Sequence, residues 1–363
     1  MTGRPATSLA AIRRWSARIN VADLLMWIVG GAILIFIVAG SIATLRLGIY
    51  SFRQWVDFIV FGLAQGGVYA LIALGYTMVY GTLRMINFAH GEVFMSGAYT
   101  AYFLAFTLAQ NGWIERYPVI SLAMIFAVSM GTSALVAVLV ERIAYRPLRN
   151  APRLVALITA IGASFFLQYA FRGLYGSGFK AYPRMSFLEG SWSLGDFRIL
   201  HLQVVVIVAA ALMMAVLYLF IQKTKTGKAI RAVSEDKAAA ALMGISVDRM
   251  IVITFVIGGL AAGFAGVLFA LMFKQVHFFM GFIPGIKAFT AAVLGGIGNI
   301  PGAMIGGAFL GIFESLGPIL FLDGFGIKAP YQLKDAIAFA MLVLVLIFRP
   351  TGVLGERLVQ KKA

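Results

Sequence analysis

Runs of about 20 apolar residues recur along this chain from Leu24 to Phe348, and that recurrence leaves few folds open. A helix rises about 1.5 Å per residue and the hydrocarbon core of a bilayer is about 30 Å thick, so about 20 apolar residues make one crossing. The runs fall at 24–45, 56–82, 92–110, 119–140, 154–171, 203–221, 250–272, 285–297, 302–321 and 333–348. The polar stretches between them, of which 172–202 and 222–249 are the longest, are too short for a sizeable soluble domain. Of the 363 residues, 61% are hydrophobic and 12% charged, against about a quarter charged in soluble domains. The pattern predicts an all-α, polytopic membrane protein of about ten transmembrane helices. The run 285–297 is short for an upright crossing, so it is either a tilted span or a re-entrant half-helix.

Sidedness follows from the cations. With the N-terminus inside, the inner segments hold Arg4, Arg13, Arg14 and Arg18; Arg84; Arg142, Arg146, Arg149 and Arg153; six cations of 222–249; and Arg349, Arg357, Lys361 and Lys362. That is 19 of the 30 Lys and Arg residues, the bias expected of cytoplasmic loops. The net charge of +16 is read the same way, since no aromatic-basic platform points to nucleic acid. A basic tail on the inner side needs an even number of crossings, which favours ten and a full crossing at 285–297. Arg13, Arg14 and Arg18 before 24–45 imitate a signal peptide, and Ala39-Gly40-Ser41 imitates its cleavage site. The run is longer than the 7–15 residues of a signal core, so a retained first helix is expected.

Small residues mark helix contacts. Gly62 and Gly66, Gly259 and Gly263, Gly302 and Gly306, and Gly307 and Gly311 each place two glycines on one helix face. Lipid gives helices little hydrophobic reason to associate, so close backbone packing is the expected use, with a pore lining as the alternative. Ionisable groups inside a bilayer are candidates for function. Glu314 lies midway along 302–321, as part of a polar path or as an internal tie. Lys287 and Asp335 sit near span ends, where side chains can snorkel. Asn87, His90 and Glu92 cluster where two spans join. They read either as a broken-helix element beside a transport path, with Asn87 capping the helix, or as a capped turn at the membrane edge.

Catalytic signatures are missing: there is no G-x-S-x-G and no H-E-x-x-H. The three histidines, His90, His201 and His277, have no paired spacing, so no metal is expected. The one Gly-Lys pair, Gly227-Lys228, has Gln222 where a phosphate loop needs glycine. No cofactor is expected on this chain. Cysteine is absent. The segment 222–249 stands apart from the oily remainder. Ser234 is a candidate N-cap, Glu235 and Asp236 suit a first turn, Ala238–Ala241 favour helix, and Gly244 suits the position after a helix. That predicts a helix of about nine residues ending in apolar Leu242 and Met243. So short a helix needs something to dock on.

Glu235, Ala239 or Ala240, and Gly244 approximate the E-x-x-x-A-x-x-x-G-like loop through which permease subunits of ABC importers meet their ATPases. The stretches ALGYTMVYGTLRMINFAHGE, ERIAYRPLRNAPRLVALITAIGASFFLQ, TFVIGGLAAGFAGVL, GIKAFTAAVLGGIGNIPGAMIGG and PTGVLG strongly resemble the LivH-type permeases of bacterial branched-chain amino acid importers. The resemblance covers about residues 55–357. It implies the helical ABC importer permease fold of the type II-like class. It also implies a second, LivM-type permease sharing the path, two cytoplasmic LivG/LivF-type ATPases carrying ATP and Mg, and a periplasmic binding protein delivering leucine, isoleucine or valine. The implied location is the bacterial inner membrane with both termini cytoplasmic. Three segments follow: an N-terminal extension, 1–50, with an extra helix not found in shorter family members; a permease domain, 51–357; and a basic tail, 358–363. Permeases for urea or short amides resemble this one too, and the substrate is set largely by the binding protein. A secondary transporter or channel, with Glu314 as its coupling charge, is the reading from a different class.

Overall fold

A computed structural model describes residues 21–149, 151–194, 197–327, 330–349 and 351–355. Arg4, Arg13, Arg14, Arg18 and the tail 358–363 lie outside the described residues. Each of the ten apolar runs forms one helix. These are α1 (Val21–Leu47), α2 (Phe52–Leu83), α3 (His90–Gln110), α5 (Pro118–Val140), α6 (Arg153–Tyr175), α7 (His201–Lys223), α10 (Val247–Phe273), α11 (Phe282–Gly295), α12 (Ile300–Leu322) and α13 (Lys334–Phe348). Three short helices complete the order: α4 (Trp113–Arg116), α8 (Lys225–Glu235) and α9 (Lys237–Leu242). Among the described residues eight helices are long and apolar enough to cross a membrane. The 14-residue α11 is apolar but shorter.

Contacts divide the chain into two units. In one, residues 21–49 go with 317–333. There Thr44 Oγ1 donates to the Ile319 carbonyl at 3.4 Å and accepts from the Gly324 N–H at 2.8 Å, and the rings of Phe36 and Phe325 stack 5.0 Å apart.

The other unit holds residues 50–316 and 334–355. Its centre is α2, which starts on a capping box between Ser51 and Gln54 and is buried almost without interruption from Ala64 to Val79. Beside it runs α10, equally enclosed, while α6 and α7 show most of their apolar surface. Such helices face lipid or another subunit.

The glycines explain how the inner helices come so close. Gly62 and Gly66 lie against the backbone of α12 at Ile312 and Ala308, and Gly307 and Gly311 face Ala70 and Gly66 in return. Gly302 and Gly306 lie against α11 at Gly295 and Ala291. Gly259 and Gly263 lie against α5, where Ser129 Oγ donates to the Gly263 carbonyl at 2.7 Å. A side chain at Gly66 would place its Cβ 2.8 Å from the Gly307 carbonyl oxygen. Overpacking of this kind costs about 1–3 kcal/mol even where neighbours can move, and backbone cannot. Gly66→Leu is expected to lower the yield of monodisperse protein in detergent severalfold, as read by size-exclusion chromatography.

The connections alternate between two ends of this unit. At one end Arg84 donates to the Ser234 carbonyl at 3.0 Å, Tyr145 donates to the Ile86 carbonyl at 3.1 Å, and Arg149 pairs with Asp248. At the other, β1 (Lys180–Ala181) pairs antiparallel with β4 (Gln275–Val276), and Ser186 donates to Glu115 at 2.7 Å. A hairpin of β2 (Ser191–Leu194) and β3 (Phe197–Leu200) lies between α6 and α7. The basic loops thus share one end, which is the arrangement their charge asymmetry predicts.

Candidate functional site

Two helices begin inside the bundle rather than at its edge. Arg84 closes α2 in left-handed backbone (φ 58°), its N–H bonding the Tyr80 carbonyl at 2.7 Å. The chain then turns back, so that His90 at the start of α3 lies over Gly75 and packs its ring 5.0 Å from that of Tyr76. Gly75 is two turns before the end of α2, which puts the start of α3 about 12 Å inside the bundle. Gly75 is required there, because a Cβ would fall on the imidazole. After β4 the chain enters from the opposite end through turns at 278–281. The start of α11 then abuts that of α3, and a Cβ on Gly285 would lie 2.9 Å from the Gly91 Cα. Free N–H groups and partial positive charge accompany each helix start. Helices broken within the bundle are where transporters place their substrates.

Of the residues singled out there, Glu92 is buried and accepts from Gln168 Nε2 at 2.6 Å and Ser164 Oγ at 3.3 Å, which ties α3 to α6. Asn87 does not cap the helix with its side chain. Its backbone carbonyl accepts from the His90 N–H at 3.0 Å, while Oδ1 is taken by the Tyr145 hydroxyl at 3.2 Å. The competing donor comes from a five-residue π-helical turn, Glu141–Tyr145, that prolongs α5.

Glu314 is the centre of a second group. It is 1% exposed, and its Oε1 accepts from Lys287 Nζ at 2.6 Å and Gln65 Nε2 at 2.9 Å. Gln65 Nε2 also lies 2.6 Å from the Tyr69 hydroxyl. Lys287 is 3% exposed and reaches Asp335 at 2.6 Å as well, and Lys334 stands 3.7 Å from Glu314. Lys287 therefore does not snorkel; it is held in the bundle by two carboxylates. Asp335 likewise turns toward Lys287. A cavity of about 220 Å³ lies against the group. A larger one, about 410 Å³, sits under the loop that carries Tyr182, Arg184 and Glu189, and its ions are exposed at the rim. Among the described residues no cluster of three or more His, Asp or Glu side chains is placed to hold a metal ion.

The polar segment between α7 and α10 folds as two helices. Thr224 caps α8, accepting from the Gly227 N–H at 3.0 Å. Ser234 lies inside α8 and donates back to the Ile230 carbonyl at 2.9 Å, so it is not the N-cap expected. Asp236 takes that role: Oδ1 accepts from the N–H groups of Ala238 at 2.8 Å and Ala239 at 3.0 Å. Glu235 is the last residue of α8, and α9 has six residues rather than nine. Gly244 follows α9 in left-handed backbone (φ 82°), and the Ile245 N–H returns to the Ala240 carbonyl at 3.0 Å. Ala240 is buried and Ala239 is exposed, while Leu242 and Met243 are 90% and 83% exposed. Partial burial, and then the charges of Arg149 and Arg84, hold Lys237 below the usual lysine range. A neutral cap at 236 would leave two N–H groups without their acceptor, at a cost of about 1 kcal/mol. Asp236→Ala is expected to loosen α9, read as faster amide hydrogen exchange over 237–243, while membrane insertion, scored by protease protection, stays normal.

An all-helical bundle with inward-facing ions, broken helices and a small apolar knob on one end describes a multi-pass membrane permease. Residues 58–346 match the family described as branched-chain amino acid transport system / permease component, and the chain belongs to that family. It is 46% identical over 311 residues to the high-affinity branched-chain amino acid transport system permease protein BraD of Pseudomonas aeruginosa, covering 85% of this chain and 98% of that protein. It is 44% identical over 309 residues to the Escherichia coli K12 protein LivH of the same description, covering 83% and 95%. A probable branched-chain amino acid transport permease protein LivH of Methanocaldococcus jannaschii is 31% identical over 293 residues, 78% of this chain and 88% of that protein.

Sequence reasoning missed Gln65, Tyr69, Lys287, Lys334 and Asp335 as members of the Glu314 group. Gln65 is itself a polar residue in the middle of an apolar run, with Tyr69 one turn on, and that signal was readable.

Proposed function

We infer that this chain is the membrane permease subunit of an ATP-driven importer of leucine, isoleucine and valine. It forms half of the translocation path, with a homologous LivM-type permease supplying the other half. It is not itself an enzyme and carries no cofactor; two LivG/LivF-type ATPases bind ATP and Mg on the cytoplasmic side, and a periplasmic binding protein delivers the substrate. The chain sits in the bacterial inner membrane with both termini in the cytoplasm. Asn87, His90, Glu92 and Glu314 border the path, and the segment from Ser234 to Gly244 couples it to the ATPases.

The observation that carries the coupling role is the pair Leu242 and Met243. Two large apolar side chains stand almost fully exposed at the end of a capped six-residue helix, Leu242 as its last residue and Met243 as the next, a shape that fits a groove in a partner. The basic loops gathered at the same end support a cytoplasmic placement. The test is a pull-down from mild detergent with the 234–244 segment intact or replaced by a Gly-Ser linker. Recovery of an ATPase with the intact segment alone is expected; purification of a lone protein that moves solute without ATP would overturn the reading. Orientation has its own check, because the chain has no cysteine. In the chain produced without its ATPases, Met243→Cys should react with an impermeant maleimide in inside-out vesicles and not in spheroplasts, and Ser186→Cys should do the reverse.

A further inference from the structure

We propose that the cavity beside Glu314 is a binding station for a free α-amino acid within the membrane, with the ion group reading the zwitterion and the apolar part of the lining reading the side chain. This rests on the amino-acid permease reading above and adds the place where the substrate is held.

The polar wall holds two cations, Lys287 and Lys334, and two anions, Glu314 and Asp335, so its formal charge balances. A zwitterion can enter such a group by exchanging partners and leave no net charge buried. A lone cation or anion cannot, and an isolated buried ion is costly. The floor and the rim differ. Lys287 and Glu314 are enclosed, whereas the side chains of Lys334 and Asp335 are 31% and 44% exposed. The rim ions can therefore release water to meet an arriving ligand, and the floor ions stay fixed. Glu314 Oε2 is buried and has no hydrogen-bond partner among the described residues. A ligand ammonium donating to it would satisfy that oxygen. Lys334 and Lys287 would donate to the ligand carboxylate. Phe269, Phe279, Met280 and Ile283 line the same cavity. An aromatic and thioether wall suits a branched aliphatic side chain and adapts to leucine, isoleucine or valine. A tie that merely joined α11, α12 and α13 would need neither the cavity nor the unsatisfied oxygen.

The setting agrees. Lys287 is eight residues from the end of α11, so the group lies about 12 Å from that end, near the middle of a hydrocarbon core. The start of α11, one of the two helix starts that meet in the bundle, is about one turn away.

The experiment uses the complete transporter in proteoliposomes. Leucine uptake and ATP hydrolysis stimulated by the binding protein are measured side by side. Asp335→Asn should raise the KM for uptake about tenfold, roughly 1.4 kcal/mol, and leave stimulated hydrolysis within about twofold of wild type. Lys287→Met combined with Glu314→Met removes both floor charges while keeping volume, a change that buried ion pairs generally tolerate. It should lower uptake at least about 100-fold with hydrolysis retained. Wild-type uptake in both variants would overturn the proposal and return the group to a structural tie. Parallel loss of uptake and hydrolysis would overturn it too, assigning the group to coupling. A wild-type transporter that imports urea or short amides and no α-amino acid would instead overturn the substrate reading.

Discussion

Lys287→Ala should lower the recovery of folded protein more than any other single change described above. The substitution leaves Glu314 buried with its main counter-charge gone. Breaking one partner out of a buried pair costs about 3–5 kcal/mol, a large share of the 5–15 kcal/mol that holds a domain together. The measurement is the fraction of membrane-inserted protein that stays monodisperse after mild heating in detergent, wild type beside variant. Glu314→Gln should be milder, since the amide keeps a hydrogen bond to Lys287 without stranding a carboxylate. Equal losses for the two would show that shape rather than charge decides stability there.

Leu242→Asp combined with Met243→Asp should abolish ATPase docking with no effect on insertion. Burying one large apolar side chain contributes about 1.5–3 kcal/mol, so two carboxylates in their place weaken association by roughly 100-fold or more. Gly244→Pro should act in the same direction by a different route. Its backbone sits at φ 82°, out of reach of proline, and its N–H bonds the Ala241 carbonyl at 3.0 Å. Both variants are scored by co-purifying ATPase and by uptake. Normal uptake in either, at normal expression, would count heavily against a coupling role for α9.

The ten helices were legible because a long apolar run in a chain so poor in charge has one economical form. Among the described residues only eight are long and apolar enough to cross, and the run 285–297 forms a 14-residue helix that starts inside the bundle rather than a full crossing. Helix ends moved by a few residues where polar caps extended them, as at Ser51. The glycine pairs were legible as contact faces, though their partners were not: nothing local in the sequence says that Gly66 faces α12. The apolar end of α9 was visible, but its cap was misplaced. Ser234 and Asp236 compete for the same turn, and the charged stretch before them is itself helical because Ile230 and Val233 find burial. The ion group was the largest omission. Gln65 and Glu314 are 249 positions apart in sequence, and Lys287 and Glu314 are 27 apart. Only the crossing of α2, α11 and α12 makes them neighbours. The meeting of α3 and α11 was hidden for the same reason, since each helix start looks like an ordinary turn when read alone.

The glycines of α12 lie on two of its faces, Gly307 and Gly311 toward α2 and Gly302 and Gly306 toward α11. Side chains between helices act as bearings: they change rotamer and let one rod slide past another. At these glycines backbone rests on backbone, and no rotamer change there can re-seat the contact. The three rods form one plate, and a push on any of them is felt at Gln65, Lys287 and Glu314 together. Any gate in this protein must open along the edges of that plate and not through it.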